Sequence, residues 1–231
     1  MQLPALTPGV LIRRYKRFLA DIELPDGSVV TAHCPNSGSM KGCNLPGAPV
    51  LLSVSPNPNR KLAHTWELVQ IDGFWVGLNT MLPNRLAEEA IADGTVAELQ
   101  GYETIRREVC YGSERSRIDL LLEGSRGRCY VEVKNVTLVE GGQALFPDAV
   151  TTRGQKHLRE LMEVVAQGDR GVIFFTVQRG DGAGVAPADT IDPEYGRLLR
   201  EAVKNGVEAL AYRAKVTPEA IRLTERLPVF L

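Results

Sequence analysis

Little in this 231-residue sequence points outward at first reading. Only four cysteines (Cys34, Cys43, Cys110, Cys129) are spread over the chain, too far apart for paired zinc ligands and too few for a disulfide framework. His33-Cys34 with Cys43 offers at most half of a metal site. Aromatic residues make up 6% of the chain, and the formal net charge is −1, so bulk attraction to nucleic acid or membrane is excluded and any such binding needs a local patch. The longest apolar runs, such as 172–177, are strand-length, far below the ~18 residues of a spanning helix. The opening Met-Gln-Leu-Pro-Ala lacks a basic stretch followed by an apolar one, so the expectation is a cytoplasmic protein with reduced thiols and no membrane partner.

What is present is enough for a core: hydrophobic residues are 44% and charged residues 24%, the range of a folded globular chain. The texture changes near residue 81. Before it the sequence reads as β, with strands expected over 10–24, 29–32, 47–54, 65–71 and 74–76. Pro25-Asp26-Gly27 and Asp72-Gly73 supply turns, the second of the two-residue hairpin kind. Short strands at this density suggest a small oligonucleotide/oligosaccharide-binding (OB-like) barrel over 1–81, and an SH3-like barrel would read similarly. After it, helices over 83–92, 152–165 and 193–204 alternate with strands over 102–110, 116–122, 129–138, 171–177 and 207–216. The expected class is therefore α/β (α+β), a barrel followed by a mixed sheet flanked by helices over 82–231. The Gly/Ala-rich stretch 179–189 lacks the Lys-Ser/Thr ending of a phosphate loop and reads as a plain connection.

The chemistry concentrates in Arg117-Ile118-Asp119-Leu120-Leu121-Leu122 and Cys129-Tyr130-Val131-Glu132-Val133-Lys134. Folding this hairpin about the turn 123–128 pairs Leu122 with Cys129 and sets Asp119 opposite Glu132. Alternation then puts Glu132, Lys134 and Asp119 on one face, with Ile118, Leu120, Leu122, Cys129, Val131 and Val133 on the other. Two carboxylates about 5 Å apart repel by about 3 kcal/mol at an effective dielectric of ~20. Lys134 compensates in part, and a divalent cation, Mg2+ or Mn2+, would compensate more while polarising a phosphate oxygen. The bland alternative is a solvated Glu-x-Lys ion pair. On the flanking helices, Glu89 lies beside the inward Leu86/Ala90 face, and Gln155 shares the side of Leu158 and Met162, while Lys156 and Glu160 are expected to face solvent.

These strings carry a resemblance. Asp119 followed by Glu132-Val133-Lys134 on consecutive strands resembles the PD-(D/E)XK nuclease superfamily, although Ile118 stands where a proline is usual. The whole chain resembles the sugar fermentation stimulation protein A (SfsA) family, through Cys-Pro-Asn-Ser-Gly-Ser-Met (34–40), Leu-Pro-Asn-Arg (82–85), the segments 116–122 and 130–138, and Phe-Pro-Asp-Ala-Val-Thr-Thr-Arg-Gly-Gln-Lys-His-Leu-Arg-Glu-Leu (146–161). The resemblance implies an OB-like barrel before a nuclease-like domain, DNA binding, and a regulatory role, including transcription regulation, in bacterial sugar (maltose) metabolism. It implies a nuclease-like centre of Asp119, Glu132 and Lys134, with Glu89 as the upstream acid and metal ligand beside Asp119 and Glu132, and Gln155 as a further candidate.

For nucleic acid, Arg13-Arg14-Tyr15-Lys16-Arg17-Phe18 packs four cations and two aromatics into six residues. Arg13, Tyr15 and Arg17 would share the solvent face, with Phe18, Ala20, Ile22 and Leu24 toward the core. Arg60, Lys61 and His64 extend the strip, and Arg153 lies near the expected metal, whereas His157 reads as a surface histidine. DNA is the expected partner, RNA a second one, and a homodimer is left open.

Overall fold

The computed structural model describes residues 1–113 and 116–231. Six strands build the first half: β1 (Leu6–Tyr15), β2 (Leu19–Glu23), β3 (Val29–His33), β4 (Pro49–Val54), β5 (His64–Ile71) and β6 (Phe74–Gly77). They are ordered β3-β2-β1-β4-β5-β6, and a β3–β5 pairing closes the sheet into a barrel. Leu11, Ile22, Leu52, Trp66, Val76 and Met40 fill it. Asp72 and Gly73 both take positive φ, as the β5–β6 hairpin requires.

One expected strand, 10–24, is two. The chain reverses at Lys16 and Arg17, which sit at φ 49° and 63°, and Phe18 is half exposed on that turn instead of heading a core-facing row. The reversal lacks the Gly, Asn or Asp that usually marks such a turn, so no local signal announces it. All four cysteines are free thiols; Cys34 and Cys43 lie buried in the barrel core.

The second half begins with α1 (Pro83–Ala92), whose proline stands in the first turn where its missing N–H costs nothing. Next come β7 (Thr104–Tyr111), β8 (Ser116–Gly124), β9 (Gly127–Val136), β10 (Leu138–Glu140), β11 (Gln143–Phe146), α2 (Thr152–Ala166), β12 (Arg170–Val177), β13 (Val185–Pro187), α3 (Pro193–Lys204), β14 (Glu208–Val216) and β15 (Ile221–Leu227). The main sheet runs β15-β14-β12-β9-β8-β7, with β9, β12 and β14 mutually parallel. One face packs on α1 and on barrel residues Leu51 and Leu68, and the other on α2 and α3. A small sheet, β10-β11-β13, sits beside it. Residues 179–189, expected as a plain connection, contribute β13, and β15 follows the last expected strand.

Candidate active site

The β8–β9 hairpin holds the register that the sequence implies: Leu122 faces Cys129, Leu121 faces Tyr130 and Leu120 faces Val131. The ladder stops one residue short of Asp119 and Glu132, leaving both carboxylates at its open end. Leu120 and Leu122 share a core with Cys129, Val131 and Val133, as alternation requires. Ile118 does not; it packs with Tyr130 and Leu161 in the other core. Asp119 thus stands where the strand changes sides.

Asp119 is held from two directions. The Val133 N–H donates to its Oδ2 at 2.7 Å and Asn84 Nδ2, in the first turn of α1, donates to its Oδ1 at 2.8 Å. Burial, together with the negative charge of Glu132, still pushes its pKa up to about 6, against the lowering pull of the Val133 N–H and Lys134. Glu132 is buried, 2% exposed. Its Oε1 accepts from Lys134 Nζ at 2.7 Å and from His157 Nδ1. Burial opposes its charge, but Lys134 and His157 together outweigh that and hold its carboxyl below the usual value. Glu132 Oε2 is buried without a hydrogen-bond partner. Arg153 Nε approaches His157 Nε2 at 3.4 Å as donor, which leaves the imidazole proton on Nδ1, toward Glu132.

Several expected placements change. Glu89 does not reach Asp119: it is exposed and pairs with the Met1 ammonium at 2.9 Å. Five residues separate it from Asn84, about 7.5 Å along the helix, and the earlier turn is the one over the site. Gln155 turns away, donating to Asp192 at 2.9 and 3.1 Å. His157, expected at the surface, is 3% exposed and bonds Glu132, and Glu160, expected in solvent, is fully buried. The signal that finds them is their spacing from Leu161 and Val164, which puts 157, 160, 161 and 164 on one helical face.

On the barrel, Arg13 pairs with Asp21 at 2.8 Å and stacks its guanidinium over Tyr15, whose hydroxyl also donates to Asp21. Arg14 is half-buried and donates to the carbonyls of Asn36, Gly38 and Arg17, which ties the hairpin tip to the segment beside it. Lys16 and Arg17 project at the exposed hairpin tip. Arg60 and Lys61 are exposed, Arg60 donating to Thr65 Oγ1 at 2.9 Å.

The metal test is mixed in number and favourable in kind. Among the described residues no cluster of three or more His, Cys, Asp or Glu side chains is poised to hold an ion, so Glu89 supplies no third carboxylate. Yet the orphaned, buried Glu132 Oε2 and the raised pKa of Asp119 are both features that a bound cation would relieve. The donors are oxygen only at these two residues, which suits a hard divalent ion.

A family model described as the sugar fermentation stimulation protein RE domain matches residues 81–220, and the SfsA N-terminal OB domain matches residues 12–78. The chain belongs to the SfsA family. Two sugar fermentation stimulation protein homologs agree with it end to end. That of Geobacter metallireducens is 76% identical over 232 residues, covering 100% of both chains. That of Geobacter sulfurreducens is 76% identical over 224 residues, covering 97% of this chain and 96% of the relative. A solved structure of Pyrococcus furiosus SfsA in complex with Ca2+ superposes with a TM-score of 0.89 at 28% identity, over 100% of this chain and 98% of that one. The barrel is thus the SfsA OB domain, and the sheet with α1–α3 falls within the SfsA RE domain match apart from the last residues.

Proposed function

We propose that this SfsA-family chain binds DNA through its barrel, residues 1–81, and holds a divalent cation in a nuclease-like centre within residues 82–231. The observation that carries the reading is Glu132 Oε2, buried and unpartnered beside an Asp119 whose carboxyl is pushed up to about 6. A buried charge persists when paired or metal-bound. The Ca2+ of the Pyrococcus furiosus relative supports a divalent ion as the class, with Mg2+ or Mn2+ as its working form. Asp119 and Glu132 would hold it, and when bound it supplies a Lewis acid for phosphate and lowers the pKa of water. Lys134 places a positive charge where a phosphoryl oxygen gains negative charge. His157 fixes the Glu132 carboxylate through Nδ1, as outer partners of metal ligands do. Lys16 and Arg17, at the exposed hairpin tip, with Arg60 and Lys61, supply the phosphate contacts. On this reading the chain acts in the cytoplasm as a DNA-binding regulator of sugar metabolism.

A second reading is hydrolysis of DNA or RNA in processing. The Asp119–Glu132–Lys134 geometry favours it, because regulation alone has no need of a lysine beside a buried carboxylate. Incubation with single-stranded, duplex and branched DNA in Mn2+ tests both. Cleavage that Glu132→Gln removes supports the enzyme. Salt-dependent binding that survives Glu132→Gln but falls in a Lys16/Arg17→Ala variant, without cleavage, supports the regulator. No binding by either protein overturns both readings.

A further inference from the structure

A cavity of about 310 Å3 lies between the barrel and the nuclease-like domain, lined among others by Asn36, Thr80, Asn135, Phe146 and Asp148. Its barrel wall is the Cys-Pro-Asn-Ser-Gly-Ser-Met segment, which the site above leaves unused. Ser39 Oγ donates to Asp148 Oδ2 at 2.6 Å and the Met40 N–H to the same oxygen at 3.1 Å, fastening one domain to the other beside the cavity. Arg14, next to the basic hairpin tip, braces this wall through the carbonyls of Asn36 and Gly38, at 2.8 and 3.0 Å. The opposite wall holds Asn135, the residue after Lys134.

The polar groups are sorted. Asn36 Oδ1 accepts from the Gly38 N–H at 2.8 Å, while the Thr176 hydroxyl, close to Asn135 Oδ1, has the Lys134 carbonyl as its nearer acceptor at 3.2 Å. The Asn36 amide thus keeps its N–H2 group for a guest. Thr80 spends its hydroxyl proton on the Pro35 carbonyl at 3.0 Å, leaving oxygen lone pairs, and Asp148 keeps Oδ1 as an acceptor. Phe146 is braced by Phe175 and Tyr195, with ring centroids 5.8 and 5.2 Å away. Among the described residues no lysine or arginine lines the cavity, and a carboxylate does, which disfavours phosphate. Polar lining side chains beside the Phe146 ring match the edge of a planar heterocycle.

We propose that this cavity takes one nucleobase, unstacked from a single-stranded or locally unpaired segment, and so selects unpaired nucleic acid for the neighbouring centre. The proposal rests on the nucleic-acid reading above and adds the substrate's structural class. The volume admits a base, at the lower end of small-ligand sites.

The test uses the full chain, without divalent cation, and a short single-stranded oligonucleotide carrying 2-aminopurine at successive positions. This base is dim when stacked and bright when withdrawn. The expected result is a several-fold brightening at one position only. Ser37→Phe, at the exposed rim, is expected to abolish the brightening and weaken binding about tenfold, the scale of one lost base contact. Asn36→Asp keeps the oxygen that receives the Gly38 N–H, removes the N–H2 donor, and is expected to reduce both effects with an unchanged melting temperature. Tight binding with no position brightening overturns the cavity proposal and leaves the nucleic-acid reading standing. So does a Ser37→Phe variant that brightens like the parent. A neutral sugar such as maltose that raises the melting temperature of the parent but not of Ser37→Phe would assign the cavity to carbohydrate instead. An oligonucleotide that fails to bind at all overturns both readings.

Discussion

Asp119 works against the fold that holds it. Its carboxyl is raised to about 6 by burial and by Glu132, so its charge costs stability above that pH, and the cost disappears as the pH falls through the folded value toward the ordinary one. Asp119→Asn keeps an oxygen for the Val133 N–H and turns an N–H2 toward Asn84, whose amide can flip to accept it. The expected outcome, by calorimetry without divalent cation, is a gain on the order of 1 kcal/mol at pH 7.5 that vanishes near pH 4. His157→Gln acts differently, since it loosens the Glu132 carboxylate that His157 holds. It should weaken divalent-cation affinity about tenfold or more, measured by titration calorimetry, while Gln155→Ala, on the Asp192 side, leaves that affinity unchanged. Neither role was evident in the sequence. Apolar periodicity draws the inner face of α2 through Leu158, Leu161, Met162 and Val165; Leu158 and Leu161 are buried, but the buried face turns toward Val164 and takes in His157 and Glu160. A helix that offers polar groups to a site breaks its own apolar stripe. The acid pair was legible, because a symmetric turn fixed the register of two nearly continuous apolar strands.

At the scale of elements, two joints decide how well the site is held. Asp192 caps α3 through the Tyr195 N–H at 2.9 Å and also accepts from the Thr151 N–H, at the start of α2, at 2.9 Å. It is 1% exposed, so Asp192→Ala leaves two helix starts unsatisfied and should cost about 2–3 kcal/mol in urea unfolding. The β1–β2 hairpin is the opposite case. Arg17 at φ 63° carries strain that glycine would not, so Arg17→Gly should raise stability by up to about 1 kcal/mol while lowering DNA affinity. Strand positions with turn residues between them, such as β5–β6, were readable; the Lys-Arg reversal and the short β10, β11 and β13 were not, because each depends on tertiary pairing instead of local preference.

At the scale of the molecule, a barrel with an exposed basic tip and a sheet with a buried acid pair are fastened together through Asp148, which on the proposed reading would bring a strand held by the first to the second. With net charge −1, the proposed DNA binding has to be local, and it is expected to weaken steeply with salt with a slope set by the few cations of the hairpin and of Arg60 and Lys61. The central claim, however, is the cation between two carboxylates. It is tested most directly by the anomalous scattering of crystals soaked in Mn2+. A peak within bonding distance of Asp119 and of Glu132 Oε2, absent in Glu132→Gln crystals soaked alike, is the predicted result. A peak elsewhere with none at the pair, or one that persists in Glu132→Gln, would contradict it.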